Sequence, residues 1–307
     1  MARTREELEA ASASWAGRWW HSIDLGEGVV TPGAKPLETM RREVDQLGLP
    51  DDLSGKSVLD IGTWDGGFSF EMERRGADRV VALDHYMWSI DIPAQQEELN
   101  RCSASGVQPR PWDQIPTVWR PDDLPGRGGF DAARRALDSK VEPVVGDFQE
   151  MDITALDQFD VVLYLGVLYH VHDPFRALQR LAKVTKELAL IETELVAIPG
   201  AEHYGAWEFI GGDDLNRDPT NWWIPNRTGL VSILRAAGFA KVEMAEGPTP
   251  LYTVRQDPRG PARVAGKLRR AWARTRPILG TARRAWQGGA YPPVAPVRYR
   301  SVARAYK

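Results

Sequence analysis

At 307 residues, with 43% hydrophobic and 26% charged side chains, the chain has the composition of a globular protein large enough to bury a sizeable core. One cysteine, Cys102, excludes an internal disulfide framework and any cysteine-based zinc cluster, and no uninterrupted apolar run is long enough to span a membrane. The net charge of −3 hides an asymmetry: residues 1–254 carry 25 Lys+Arg against 41 Asp+Glu, and residues 255–307 carry 14 against 1.

The N-terminus, MARTREELEAASAS, is charged rather than signal-like, so a cytoplasmic protein with no membrane partner is expected. Residues 1–50, with Trp15, Trp19 and Trp20, follow no sheet pattern and are expected to form an N-terminal lid. The first β-rich run is SVLDI (57–61), followed by helical character from Phe68 to Arg75 and then by RVVAL (79–83). Residues 86–140, rich in tryptophan, proline and charge, interrupt the alternation and read as an inserted helical cap. The strands resume with VEPVV, FDVVLYLGVL and ELALIETELV. Between the last two, Pro174–Val184 places Phe175, Leu178, Leu181 and Ala182 on one helical face, with Asp173 as a cap and Pro174 at the start.

Arg227–Ala237 repeats that pattern with Leu230, Ile233, Leu234 and Ala237, stops at Gly238, and is followed by the strand KVEMAE. VRYRSVARAY (297–306) is expected to return as a strand to the sheet edge, which makes 250–296 an insertion between two strands, with Ala262–Thr275 a basic helix. The basic segment 255–307 suits a polyanion-binding arm or packing across the acidic body; the second is favoured. Short β runs alternating with helices predict an α/β domain over residues 51–254, with a mostly parallel sheet covered on both faces.

Ligands of such sheets bind beyond the carboxyl ends of the strands. There SVLDI runs into Gly62, and Gly66 follows four residues later, opening a helix. Trp64 stands where a dinucleotide loop needs its second glycine, so a pyrophosphate is disfavoured and a ligand without one is tolerated. Asp84, ending the next strand 24 residues after Asp60, suits both ribose hydroxyls, and Asp147 with Phe148 after the third strand suits an adenine amino group and ring. Taken singly, a glycine turn or an acid after a strand is as often structural. In this order, Asp60, Gly62, Gly66, Asp84 and Asp147 describe an adenosine with an amino-acid tail, S-adenosylmethionine.

VLDIGTWDGG resembles the first motif of the class I S-adenosylmethionine-dependent methyltransferases, ALD their ribose acid, GDF their adenine motif and FDVVLYLGVLYHVHDP their fourth-strand motif, over roughly residues 55–250. GVLYHVHDP and LALIETE, with WWHSIDLGEGVVTPG upstream and NWWIPNRTGLVSILRAAGF downstream, are similar to the branch containing tRNA wobble-uridine carboxymethyl- and methoxy-forming enzymes. Many small-molecule methyltransferases of actinobacteria look like members of the same branch. The resemblance implies a Rossmann-like seven-stranded sheet with an antiparallel last strand. The sequence departs from the motif at Thr63 and Trp64.

Methyl transfer from a sulfonium asks the protein to align donor and acceptor and to exclude water, and a base is needed only where the acceptor must lose a proton. Tyr169, His170, His172, Glu192, Glu194, His203 and Tyr204 crowd the ends of the fourth and fifth strands. His170 is the first choice as base, set against a purely structural histidine. A metal on His170, His172 and one of the two glutamates is the weaker reading, and none is expected. Trp207, Trp222 and Trp223, with Asn226, can wall and orient an acceptor; Trp20 and His21 can close over the cofactor from the other side. The expected activity is methylation of an oxygen or nitrogen of a small molecule in secondary metabolism. Modification of a tRNA wobble uridine is the alternative, with a catalytically silent cofactor-binding module as a third reading. A carboxylated cofactor would require cations near the methyl position, and the sequence identifies none.

Overall fold

The computed structural model describes residues 3–15, 17–198, 200–212, 214–216, 218–245 and 297–307. The basic helix expected at 262–275 and the rest of 246–296 lie outside the described residues. Seven strands form the central sheet: β1 (Ser57–Ile61), β2 (Arg79–Asp84), β3 (Glu142–Val145), β4 (Phe159–Leu165), β5 (Thr185–Ala197), β6 (Lys241–Met244) and β7 (Val297–Tyr306). Their order is β3-β2-β1-β4-β5-β7-β6, parallel from β3 to β5, with β7 antiparallel to both neighbours. This is the Rossmann-like α/β sheet the sequence predicts. One expectation is corrected: β7 lies inside the sheet, between β5 and β6, and the edge belongs to β6.

The continuous apolar runs of β1 and β4 follow from burial on both faces. On one face pack α1 (Arg5–Ala13), α2 (Leu37–Leu47), α3 (Gly67–Arg74) and α6 (Gly128–Ala136), around Met40, Val44, Met72, Val80 and Phe130. On the other, α7 (Pro174–Val184) and α8 (Arg227–Ala237) bring Leu178, Leu181, Leu230 and Leu234 against Leu59, Val81 and Val162. The predicted cap of α7 is present, Asp173 accepting from the Arg176 N–H at 3.0 Å, and α8 ends on Gly238 with φ +112°.

Between β2 and β3 the chain forms α4 (Tyr86–Ser89), α5 (Ile92–Ser105) and α6, with a small core of Ile90, Ile92, Trp112, Ile115 and Val118. The buried Cys102 thiol in α5 donates to Glu98 one turn back, a packing role. Ahead of β1 the chain carries α1, a two-stranded hairpin (Asp24–Gly26 with Val29–Val30) and α2. No helix among the described residues is long and apolar enough to cross a membrane. The strand order reverses between β1 and β4, so the crevice beyond their carboxyl ends is where this sheet offers a site.

Candidate active site

The turn after β1 is built on left-handed backbone. Gly62 has φ +78° and Gly66 φ +86°, and a Cβ on Gly62 would stand 2.6 Å from Val167 Cγ2. Trp64, at the position a glycine would occupy, also turns left-handed at φ +55°. Two contacts hold it there: its N–H donates to Asp84 Oδ2 at 2.8 Å, and its carbonyl accepts from Trp88 Nε1 at 2.7 Å. Its ring stacks on Trp20, centroids 4.9 Å apart and planes within 5°. Below the turn, buried Asp60 accepts from Ser69 Oγ at 2.6 Å; burial pushes its carboxyl up, against the pull of Ser69 and Thr63.

Asp65, fully buried in the same turn, is the anchor of the N-terminal segment. Its carboxylate accepts from the Trp20 N–H at 2.7 Å, from the His21 N–H at 2.9 Å and from His21 Nδ1. His21 then lies so close to the start of α3 that a Cβ on Gly67 would be 2.7 Å from its Cβ. Lys35 lies over the Trp20 and Phe68 rings and pairs with Glu43 at 2.6 Å.

Asp84 ends β2 with one backbone N–H on each oxygen, from Trp64 and from Met87 at 3.0 Å. Burial pushes it up to about 6, the backbone N–H groups of Trp64, Met87 and Trp88 offset part of that, and the nearby charge of Asp60 adds to it. After β3, Asp147 accepts from the Gln149 N–H at 2.8 Å. Phe148 is buried under the Arg180 guanidinium and against Tyr164, which leaves its ring as core packing rather than an open wall.

Beyond β4, the turn Leu168–His170 places Tyr169 and His170 side by side, ring centroids 4.4 Å apart. The Tyr169 carbonyl accepts from the Trp222 N–H at 2.8 Å, and the His172 carbonyl accepts from Trp223 Nε1 at 3.1 Å, so the tryptophan pair is laid along this turn. Trp222 also faces the His172 ring at 4.5 Å. His170 Nδ1 contacts Thr220 Oγ1 at 2.9 Å and the Thr220 carbonyl at 3.2 Å. Burial lowers its proton affinity, Asp218 works the other way, and the imidazole is held neutral near physiological pH.

Arg300 of β7 reaches the same place from the far side of β5. Its Nε donates to Glu194 at 2.9 Å, Nη1 to Glu192 at 3.3 Å and Nη2 to the Tyr169 hydroxyl. Burial opposes its charge, but Glu192, Tyr169 and Glu194 hold it protonated, while burial pushes the Glu192 carboxyl up. The two glutamates considered as metal ligands are thus committed to a guanidinium.

Residues 35–244, more than half of the chain, match the family described as "Methyltransferase domain". The chain belongs to this family, as a class I S-adenosylmethionine-dependent methyltransferase. Among curated proteins, the methyltransferase is 24% identical over 197 residues to a tRNA U34 carboxymethyltransferase of Pseudomonas fluorescens (strain SBW25), covering 64% of this chain and 49% of that one. It is 26% identical over 199 residues to the enzyme of that name from Idiomarina loihiensis, covering 65% and 50%. The match thus spans about half the length of these relatives. Among solved structures, it resembles the N-terminal domain of EvdMO1 with SAH bound, at a TM-score of 0.47 and 18% identity over 79% of this chain and 90% of that one. It also resembles the [4+2]-cyclase SpnF, at a TM-score of 0.46 and 17% identity over 98% and 92%.

The methyltransferase's own residues fit its cofactor. A carboxylate has about four acceptor positions, so Asp84, beside the backbone N–H groups of Trp64, Met87 and Trp88, keeps capacity for a ribose hydroxyl. Among the described residues nothing donates to Asp147 Oδ2, which is available to an amino group.

The predicted acceptor residues divide into two sets. Tyr169, Glu194, Trp222 and Trp223 gather with His170 around the turn after β4. Trp207 packs against α8, its ring nitrogen facing Gly229; His203 and Tyr204 lie exposed on the loop before it. Asn226 caps α8, and its amide is saturated: Oδ1 accepts from Gly229 and Ala206, and Nδ2 donates to the Ala201 and Tyr204 carbonyls. It can hold the loop but has nothing left for an acceptor. Sequence reasoning missed Asp65, Lys35, Thr220, Asp218 and Arg300. The acid inside GTWDGG was the available signal for the first, and the alternating arginines of VRYRSVARAY for the last.

Proposed function

We propose that this methyltransferase methylates a hydroxyl oxygen of a small molecule, with His170 as general base. The observation that carries the reading is the environment of His170. The Thr220 carbonyl can only accept, so Nδ1 bears the proton and Nε2 keeps its lone pair. When bound, S-adenosylmethionine would supply the methyl group, which an acceptor oxygen would take in line as the C–S bond breaks and its electron pair stays on sulfur. His170 Nε2 takes the hydroxyl proton as the O–C bond forms. Tyr169 and Trp222 brace the turn that aims the imidazole, and Trp222 and Trp223 offer aromatic faces to an acceptor. The N-terminal segment and the 86–140 cap serve as the walls that exclude water. Asp60, Gly62, Gly66, Asp84 and Asp147, with Trp20 and His21 above them, are the cofactor's contacts in this reading.

A base of this kind is worth about 10²–10⁴ in rate. His170→Ala should therefore keep S-adenosylhomocysteine affinity by calorimetry and lose at least about a hundredfold in methylation of a panel of phenols and sugars. Equal turnover by the variant would remove His170 from the mechanism. The second reading, modification of tRNA, is favoured by the names of the curated relatives. Methylation of bulk tRNA in place of the panel, with binding that falls steeply as salt rises, would establish it.

A further inference from the structure

Resting on the reading of His170 as base, we propose that Thr220 and Asp218 are its positioning residues. They fix the ring as the Nδ1-protonated tautomer and share its charge when Nε2 has taken a proton. The chain of donors runs in one direction. Thr220 Oγ1 gives its own proton to Asp218 Oδ1 at 2.6 Å, so toward His170 Nδ1 that oxygen can only accept, as can the Thr220 carbonyl. Both acceptors therefore face the same ring nitrogen.

The loop bearing the pair is fastened on itself. The Thr220 N–H donates to the same Asp218 oxygen at 2.9 Å, and Asn221 Nδ2 bridges the Leu215 and Asp218 carbonyls at 2.9 and 3.1 Å. Thr220 is 6% exposed, so water competes little for its hydroxyl. Groups facing His170 are the Tyr169 ring, Thr220, Asp218 and Arg300, the last opposing protonation. Tyr86 of the cap lies in the field of both Asp218 and Asp113, and burial, with both acids behind it, keeps its phenol protonated. The carboxylate thus stabilises an imidazolium in a site that otherwise disfavours one, and it does so through Thr220.

The arrangement is testable on the full chain without an acceptor, because the sequence holds only five histidines. Long-range ¹H–¹⁵N spectra of ¹⁵N-histidine-labelled protein, with His170 assigned through His170→Gln, report the tautomer and its titration. The wild type should show the Nδ1-protonated form. Asp218→Asn should keep that tautomer and weaken proton affinity by about tenfold. Thr220→Val, which keeps only the backbone carbonyl against Nδ1, should weaken the tautomer preference and Thr220→Ser restore it, which separates the hydroxyl's role from a folding defect. An Nε2-protonated wild type, or an Asp218→Asn titration identical to it, overturns the proposal. A His170→Ala variant that still methylates would defeat the base reading and leave these spectra unchanged. A dead His170→Ala beside the wrong tautomer would keep the base and remove its positioning pair.

Discussion

A tryptophan occupies the place of a glycine in the turn after β1, and its backbone adopts the conformation the glycine would have had. A left-handed non-glycine residue costs about 1 kcal/mol, which the Trp20 stack and the hydrogen bonds to Asp84 and Trp88 offset. The same contact ties Trp64 to the acid at the end of β2. Asp84 titrates near 6 because burial disfavours its charge. Its folded value is above the unfolded one, so its contribution to stability is complete below about pH 4 and is lost as pH rises through about 6. A ribose hydroxyl donating to this carboxylate favours the charged form instead. S-adenosylhomocysteine should therefore bind more tightly at about pH 7.5 than at about pH 5, releasing up to one proton near the lower pH. Calorimetry in buffers of different ionisation heat counts that proton, and pH-independent binding without proton release would show that Asp84 does not meet the ribose.

At the scale of elements, one carboxylate holds the N-terminal segment against the turn after β1. Asp65→Ala strands two backbone N–H groups and the His21 ring in a buried place, at about 1–3 kcal/mol for each unsatisfied group. The expected result is proteolysis within residues 1–36 at protease levels that leave the wild type intact, with weaker S-adenosylhomocysteine binding. Unchanged protection would show that α1 on α6 holds the segment by itself. The strands and the helices Pro174–Val184 and Arg227–Ala237 were legible in the sequence because apolar periodicity is a local signal. Asp65, Thr220 and Arg300 were not. Their partners lie 44, 50 and 106 residues away along the chain, and only the folded sheet brings them together. The partners of the β7 arginines are likewise distant along the chain. Arg298 meets Glu208, Arg300 meets Glu192 and Glu194, and Arg304 caps the end of α2 through the Gln46 and Leu47 carbonyls.

For the molecule as a whole, β7 joins the sheet, the ion pairs and the candidate site. Arg300→Met would leave Glu192 and Glu194 buried without their cation, a loss of about 3–5 kcal/mol. Because burial already favours protonated Glu192, the loss should be smaller at about pH 5 than at about pH 8 in urea denaturation, as the freed carboxyl takes up a proton. Equal destabilisation at both pH values would mean that the glutamates relax to solvent.

The position of β7 also orders events during synthesis. Ala197 pairs with Val297, so the long flank of β5 leaves the ribosome about a hundred residues ahead of its neighbour, roughly 5–20 s at ordinary elongation rates. Until then a thirteen-residue strand offers an unpaired edge to any passing chain, and His170 stands beside a tyrosine with no guanidinium to hold it. The nascent protein therefore passes through a sticky, unfinished state before it can become an enzyme, and a translational pause within that interval would prolong it.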